Sequence, residues 1–316
     1  MSGKYQPQTV LVTGGCGFLG TNLVESLREM GHKVRILDNL STSCREWQSG
    51  RLPLAASANL VVGDIRYGET VARAMQGADA IVHLAADTSV VGSLENPGES
   101  WDINANGTFN LLEACRRYGV ARFIFASSNA VVGEQSLPID ETKVPRPVSL
   151  YGASKLAGEA LCSAYHQSFG LETICLRFAN CYGIHSEHKP SVVSKFVREV
   201  KERKPLVIYG DGNQTRDFVH AVDICQAIHL SLTISGSCGE VFQVASGVET
   251  TINELVEMIK EISGSDIQIV HQPERKGEIK RNYSDIGKAR ATLGFKPEIE
   301  LREGVKELWS LWGGSS

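Results

Sequence analysis

Thr9-Val-Leu-Val-Thr-Gly14-Gly-Cys-Gly17-Phe-Leu-Gly20 runs from a β-branched apolar segment, through three spaced glycines, into a helical pattern. The spacing is Gly-x-x-Gly-x-x-Gly. Gly14 admits a tight turn, Gly17 lets backbone approach a pyrophosphate with no Cβ in the way, and Gly20 allows close helix–sheet packing. The helix that opens at Phe18, Leu19 and Gly20 offers unpaired N–H groups and positive potential to phosphates. Three glycines alone mark a turn; their place between a strand and a helix makes them a dinucleotide fingerprint. Eighteen residues past Gly20 a second apolar run ends at Asp38-Asn39. A carboxylate there can accept both ribose hydroxyls and would repel a 2′-phosphate, and no arginine follows it directly. NAD is the expected cofactor.

Outward from this unit, apolar runs at Thr9–Thr13, Lys33–Leu37, Leu60–Val62, Ala80–His83, Phe123–Ala126 and Thr173–Leu176 read as strands. Helical patterns separate them at Leu19–Met30, Glu69–Met75, Pro97–Arg117 and Tyr151–Ser168. Continuous apolar strands alternating with helices predict an α/β fold, a doubly wound parallel (Rossmann) sheet covered on both faces. The second half is less regular. Helices are expected at Pro190–Arg203, Ala221–Leu232, Ile252–Ile262 and Leu301–Leu311, with short strands at Leu206–Tyr209 and Val241–Val244. The expected division is a dinucleotide-binding domain over 1–178, rejoined by about 221–247. A smaller C-terminal α/β substrate lobe then takes 179–220 and 248–316. There is no internal repeat, and the Gly-Gly-Ser-Ser end is expected to fray.

Two further strand ends carry cofactor candidates. Asp64-Ile65 closes the third strand, where a carboxylate can accept from an adenine amino group. His83-Leu84-Ala85-Ala86 follows the fourth, and its small residues leave room for a dinucleotide. His83 itself reads as a hydrogen-bonded core histidine. The chemistry sits later. Tyr151-Gly-Ala-Ser-Lys155 opens a helix, and i, i+4 spacing places phenol and ammonium on one face. A fixed cation beside a phenol stabilises the phenolate, so Lys155 is expected to lower the Tyr151 pKa and make it a proton shuttle. Ser127-Ser128 falls just after the fifth strand, at the sheet edge where such folds bind ligands, and Ser128 can hydrogen-bond the oxygen that Tyr151 deprotonates.

In order along the chain stand the glycine trio, Asp38, Asp64, His83-Leu-Ala-Ala, Asn104-x-x-Gly-Thr, Ser127-Ser128, Tyr151-x-x-x-Lys155 and Arg177-Phe-Ala-Asn180-x-Tyr-Gly. Together they resemble the extended short-chain dehydrogenase/reductase family, in particular its UDP-glucose 4-epimerase-like members, from Val10 to about Leu311. The resemblance implies an NAD-dependent epimerase acting on a nucleotide-sugar, with Asn104 at the cofactor and Asn180, Arg216, Arg275 and Glu278 on the substrate. It implies two arginines on different loops gripping a diphosphate, which charge-assisted forks do well. It also implies a homodimer through the helices Pro97–Arg117 and Tyr151–Ser168. Dehydratases of this family carry an acidic pair directly after the catalytic Ser or Thr; here Asn129 and Ala130 stand there and cannot transfer protons. The usual Val-Tyr-Gly is replaced by Val131-Val132-Gly133. Alternatives are a UDP-glucuronate or UDP-N-acetylhexosamine 4-epimerase, a nucleotide-sugar reductase or dehydratase, and outside catalysis a dinucleotide-sensing regulator.

Composition narrows the partners. The 316 residues are 42% hydrophobic and 22% charged, with a net charge of −4. No basic stripe is present to neutralise nucleic-acid phosphates. The eight cysteines (16, 44, 115, 162, 175, 181, 225 and 238) form no Cys-x-x-Cys pair. Several lie in apolar runs, as free thiols do in a reducing compartment. Neither a disulfide scaffold nor a metal site is expected. The first apolar stretch, Val10–Leu19, is broken by three glycines and does not suit a signal sequence. No run approaches a membrane span. The expected location is cytoplasmic.

Overall fold

The computed structural model describes residues 6–44, 47, 59–274 and 279–312. A seven-stranded parallel sheet takes its strands from residues 9–178 and 241–244. Its strands are β1 (Thr9–Thr13), β2 (Lys33–Asp38), β3 (Asn59–Val62), β4 (Ala80–His83), β5 (Arg122–Ser128), β6 (Glu172–Phe178) and β7 (Val241–Val244). Their spatial order is β7-β6-β5-β4-β1-β2-β3. The chain therefore winds outward from β1 to β3, then reverses through β4, leaving a crevice at the strand C-termini between β1 and β4.

Alternation along the strands explains why both faces are covered. Val10 and Val12 face one apolar layer, with Leu23, Leu27, Ile224 and Ile228 from helices Phe18–Glu29 and Ala221–Thr233. Leu11, on the opposite face, joins Ile81, Phe123, Leu111 and Leu112 in a second layer. Each such fully buried side chain contributes about 1.5–3 kcal/mol of transfer free energy. A third apolar cluster lies outside the sheet. It joins helices Val192–Lys201, Ile252–Ser263 and Leu301–Leu311 through Phe196, Val197, Leu255, Ile259, Val305 and Leu308.

Three short strand pairs complete this second lobe: Leu206–Tyr209 with Ile269–Gln272, Asn180–Tyr182 with Phe218–His220, and Thr215–Arg216 with Thr250–Thr251. Most of these segments are too short to show a period, so only Leu206–Tyr209 was expected. The expected helix Pro97–Arg117 is also interrupted. Pro97–Trp101 is α-helical, Asp102–Asn106 is a π turn, and the α-helix resumes over Gly107–Tyr118. β5 runs two residues past its expected end, so Ser127 and Ser128 close the strand itself. No helix among the described residues is long and apolar enough to cross a membrane.

Candidate active site

At the C-terminal end of β1 the chain turns through Gly14 at φ +71°, a conformation that disfavours L side chains. A Cβ there would also stand 2.7 Å from the Ala85 nitrogen, and one on Gly20 would stand 2.0 Å from the Gly14 carbonyl oxygen. Gly17 differs: a Cβ on it would meet only the Gly14 oxygen, at 3.4 Å, and otherwise open space. The following helix starts at Phe18 with no side-chain cap on its first N–H groups. An uncapped helix start behind a bare glycine fits a pyrophosphate.

Asp38 ends β2 and is 8% exposed. Its Oδ2 accepts from the Cys16 N–H at 2.9 Å and its Oδ1 from the Leu40 N–H at 2.7 Å, fixing the carboxylate at the crevice edge. Burial raises its pKa, against the pull of those two N–H groups. Asn39 is exposed and donates to Asp64 Oδ2 at 3.3 Å. Asp64 is taken up by Arg66, which donates to it through Nε at 3.1 Å and Nη2 at 2.8 Å and holds its carboxyl below the usual range. Ile65 is buried beneath Gly107. Leu84, Ala85 and Ala86 are partly exposed, their backbone tied to Thr13 through the Leu84 and Ala85 N–H groups. His83 bonds Thr13 Oγ1 and Thr108 Oγ1 at 2.8 and 3.0 Å, and burial pulls its pKa well down.

Ser128, the last residue of β5, accepts from the Ala130 N–H at 3.2 Å and lies near enough to the Tyr151 phenol to favour its phenolate. Tyr151 lies in the first turn of helix Leu150–Phe169, which Ser149 caps through the Gly152 N–H. Gly152 allows that turn to close on β5, because a Cβ there would come within 2.4 Å of the Ala130 carbonyl oxygen. Lys155 is buried beneath this turn, its Nζ 2.8 Å from the Ala126 carbonyl oxygen and 5.0 Å from the Phe125 ring centre.

The electrostatics run against the expectation for Tyr151. Burial pushes the phenol up to about 12, and the neighbouring Ser128 hydroxyl offsets only part of this. Lys155 is not among the groups that shift it; burial instead brings the Lys155 ammonium down to about 8. Desolvation outweighs pairing for both groups.

On the second lobe, Asn180 is exposed, and its N–H donates to the Asp217 carbonyl at 2.9 Å. Arg216 is partly buried and donates to the carbonyls of Thr215 and Ile279 at 2.7 and 2.9 Å. Arg275 and Glu278 lie outside the described residues.

Residues 10–245 match the model of the NAD dependent epimerase/dehydratase family. The chain belongs to the NAD-dependent epimerase/dehydratase family. It is 38% identical, over 95% of its length and 96% of the relative's, to a Methanocaldococcus jannaschii protein provisionally named UDP-glucose 4-epimerase. It is 32% identical, over 95% of both chains, to a UDP-glucuronate 4-epimerase from Thermodesulfobacterium geofontis. Among solved structures, the UDP-glucose 4-epimerase of Thermotoga maritima, determined with UDP-glucose, superposes with a TM-score of 0.90. That match has 33% identity and covers 96% of this chain and 98% of the other.

Two side-chain networks support this epimerase/dehydratase-family site: an Arg177–Glu159 pair that was not foreseen as functional, and Asn104, which was expected at the cofactor. Arg177 and Glu159 form a buried bidentate pair, Nε to Oε1 at 2.8 Å and Nη2 to Oε2 at 2.7 Å. Ser127 donates to the same carboxylate at 2.5 Å, so the Tyr151 helix is bound to β5 and β6 together. Asn104, on the π turn, uses its whole amide on protein. It accepts from the Asp87 N–H and donates to the Asp87 carbonyl and Ser154 Oγ, at 2.9–3.0 Å. It thereby ties the loop after β4 to the Tyr151 helix. A π turn was the one visible sign, and it cannot be read from sequence periodicity.

Proposed function

We propose that this family member is a nucleotide-sugar 4-epimerase, with a UDP-hexose such as UDP-glucose or UDP-galactose as substrate and a transient 4-keto sugar as intermediate. The observation that carries the reading is the Ser128–Tyr151 pair at the crevice end of β5, followed by residues without acid or base. Asn129 is buried and donates to Ser284 Oγ at 2.8 Å, and Ala130 carries only a methyl. Elimination of water from the sugar needs a further acid/base pair at these positions. Epimerisation needs none.

The cofactor would be held by the Gly14–Gly20 turn, the N–H groups at Phe18 and Leu19, Asp38 with Asn39 on a ribose, Asp64 and Ile65 near the adenine, Leu84–Ala86 and Lys155, with Asn104 bracing the loop that carries Asp87. Bound NAD supplies the hydride acceptor and a positive charge beside the phenol. Tyr151 takes the proton of the sugar 4-hydroxyl, so its pKa must fall from the ligand-free value when the cleft fills. Ser128 polarises the same oxygen, and Lys155, held at the Ala126 carbonyl, would hold the nicotinamide ribose. The 4-keto sugar would turn about its diphosphate anchor, and Tyr151 would return the proton to the 4-oxygen as C4 regains its hydrogen on the other face. No atom or electron is gained or lost overall.

The segments 179–220 and 248–316 serve as the nucleotide-sugar lobe, where Asn180, Arg216, Arg275 and Glu278 hold the diphosphate and ribose. The enzyme works as a homodimer. Trp101, Phe109 and Phe169, on the Pro97–Tyr118 segment and the Tyr151 helix, are 44%, 46% and 57% exposed, an apolar surface for a second copy. None of the eight cysteines forms a disulfide, which suits a cytoplasmic enzyme. Following the sugar by NMR tests the activity: interconversion of UDP-glucose and UDP-galactose without nicotinamide consumption is expected. Stoichiometric NADH turnover or loss of water would favour a reductase or a dehydratase instead.

A further inference from the structure

The Gly183–Ser191 segment packs against both sides of the cleft and is pinned at each end. On the cofactor side, the Asn22 amide donates to the Ile184 carbonyl at 2.9 Å, and His185 Nε2 lies 3.5 Å from the Glu25 carboxylate. On the substrate side, Arg198 donates to the carbonyls of Glu187 and Lys189. Ser186 closes the turn between them, donating to the Gly183 carbonyl at 2.5 Å and accepting from the Lys189 N–H at 2.9 Å.

This bracing sends the Lys189 side chain across the cleft, where its Nζ reaches Thr88 Oγ1 at 3.5 Å. Thr88 belongs to the loop after β4, next to Asp87, whose charge acts on the Tyr151 phenol. The same loop leads into a short helix whose Ser93 hydroxyl accepts from the Tyr151 N–H at 3.2 Å. Cys181 lies close enough to affect both the Tyr151 phenol and the Lys189 ammonium. The ammonium is therefore at the reaction end of the crevice. It is partly buried, and no carboxylate among the described residues lies within ion-pair distance of it. Burial lowers its pKa from the usual lysine value. A partly desolvated cation with only a hydroxyl for company is costly until an anion arrives.

We propose that Lys189, with Thr88, binds an oxyanion that the nucleotide-sugar presents at the reaction end of the cleft. This rests on the nucleotide-sugar reading above. Two sources share that chemistry: the sugar-side phosphate, and a carboxylate carried by a hexuronate.

Calorimetric titration of NAD-loaded protein with UDP, UDP-glucose and UDP-glucuronate separates them. Lys189→Met should weaken binding about ten- to hundredfold, the worth of one charge-assisted hydrogen bond, and Lys189→Arg should keep most of the affinity. Equal losses for all three ligands assign the phosphate; a loss confined to UDP-glucuronate assigns the carboxylate and makes a uronate the preferred sugar. An unchanged melting temperature in Lys189→Met shows that its loss is not one of folding. If Lys189→Met binds all three ligands as the parent does, the inference is overturned and the epimerase reading stands. If the parent binds none of them, the nucleotide-sugar reading falls and takes the inference with it.

Discussion

Replacing Arg177 with Met isolates what holds the Tyr151 helix to the sheet. Arg177 and Glu159 are 4% and 6% exposed, and two of the guanidinium nitrogens meet the carboxylate at 2.7–2.8 Å. Removing the cation leaves a buried carboxylate with Ser127 Oγ as its one remaining hydrogen-bond partner among the described residues. Breaking one side of such a pair costs about 3–5 kcal/mol, far more than the pair itself contributes. Urea denaturation of the two proteins at pH 8 should show a loss of that size. Because Glu159 and Tyr151 share one helix, turnover at temperatures where the variant stays folded should drop as well. The double variant Glu159→Leu with Arg177→Met removes both charges and should recover most of the stability, to within about 1–2 kcal/mol of the parent. A single variant that loses less than about 1 kcal/mol, or a double variant no more stable than the single, would refute the reasoning.

The two crevice glycines should separate folding from binding: Gly20→Ala forces backbone to move and should lower the melting temperature. Gly17→Ala should fold normally and lose NAD affinity, both read by thermal melts with and without NAD. Tyr151→Phe should retain NAD binding by fluorescence while turnover falls about 10²–10⁴-fold, the usual worth of a positioned proton carrier. For pH, the sign follows from the two buried groups. Lys155 is depressed to about 8, so its contribution to stability is present above its unfolded value of 10.5 and is lost as pH falls through 8. Tyr151 is raised to about 12, so its contribution is present below 10 and is lost as pH rises through 12. Urea stability of cofactor-free protein, taken relative to Lys155→Met, should therefore rise between pH 8 and 10 by at most about 3 kcal/mol. A flat difference over that window would show that Lys155 is not desolvated.

Much of the fold was readable because the signals are local. Val10, Leu11 and Val12 alternate between two covered faces, and a run apolar at every position is what such a strand requires. Gly14 and Gly20 were readable because a close backbone approach leaves few other residues possible. What escaped depends on partners distant in sequence. Asn180–Tyr182 is a strand only because Phe218–His220 lies beside it. The π turn at Asp102–Asn106 interrupts an otherwise regular helical pattern. The direction of the Tyr151 shift was missed because i, i+4 spacing reveals a neighbouring charge but not how deeply both groups are buried. The strand end at Asp64 was readable, but not Arg66, two residues on, which donates to both its carboxylate oxygens. Lys189 gave no signal at all, since the turn that aims it is built from carbonyls gripped by Arg198 and Asn22.

Deuterium placed at C4 of UDP-glucose follows the hydride directly. The account predicts UDP-galactose that keeps the label at C4, with no label passing to NAD added in excess and no NADH accumulating. Unchanged sugar, or label released to the added cofactor pool, would contradict it.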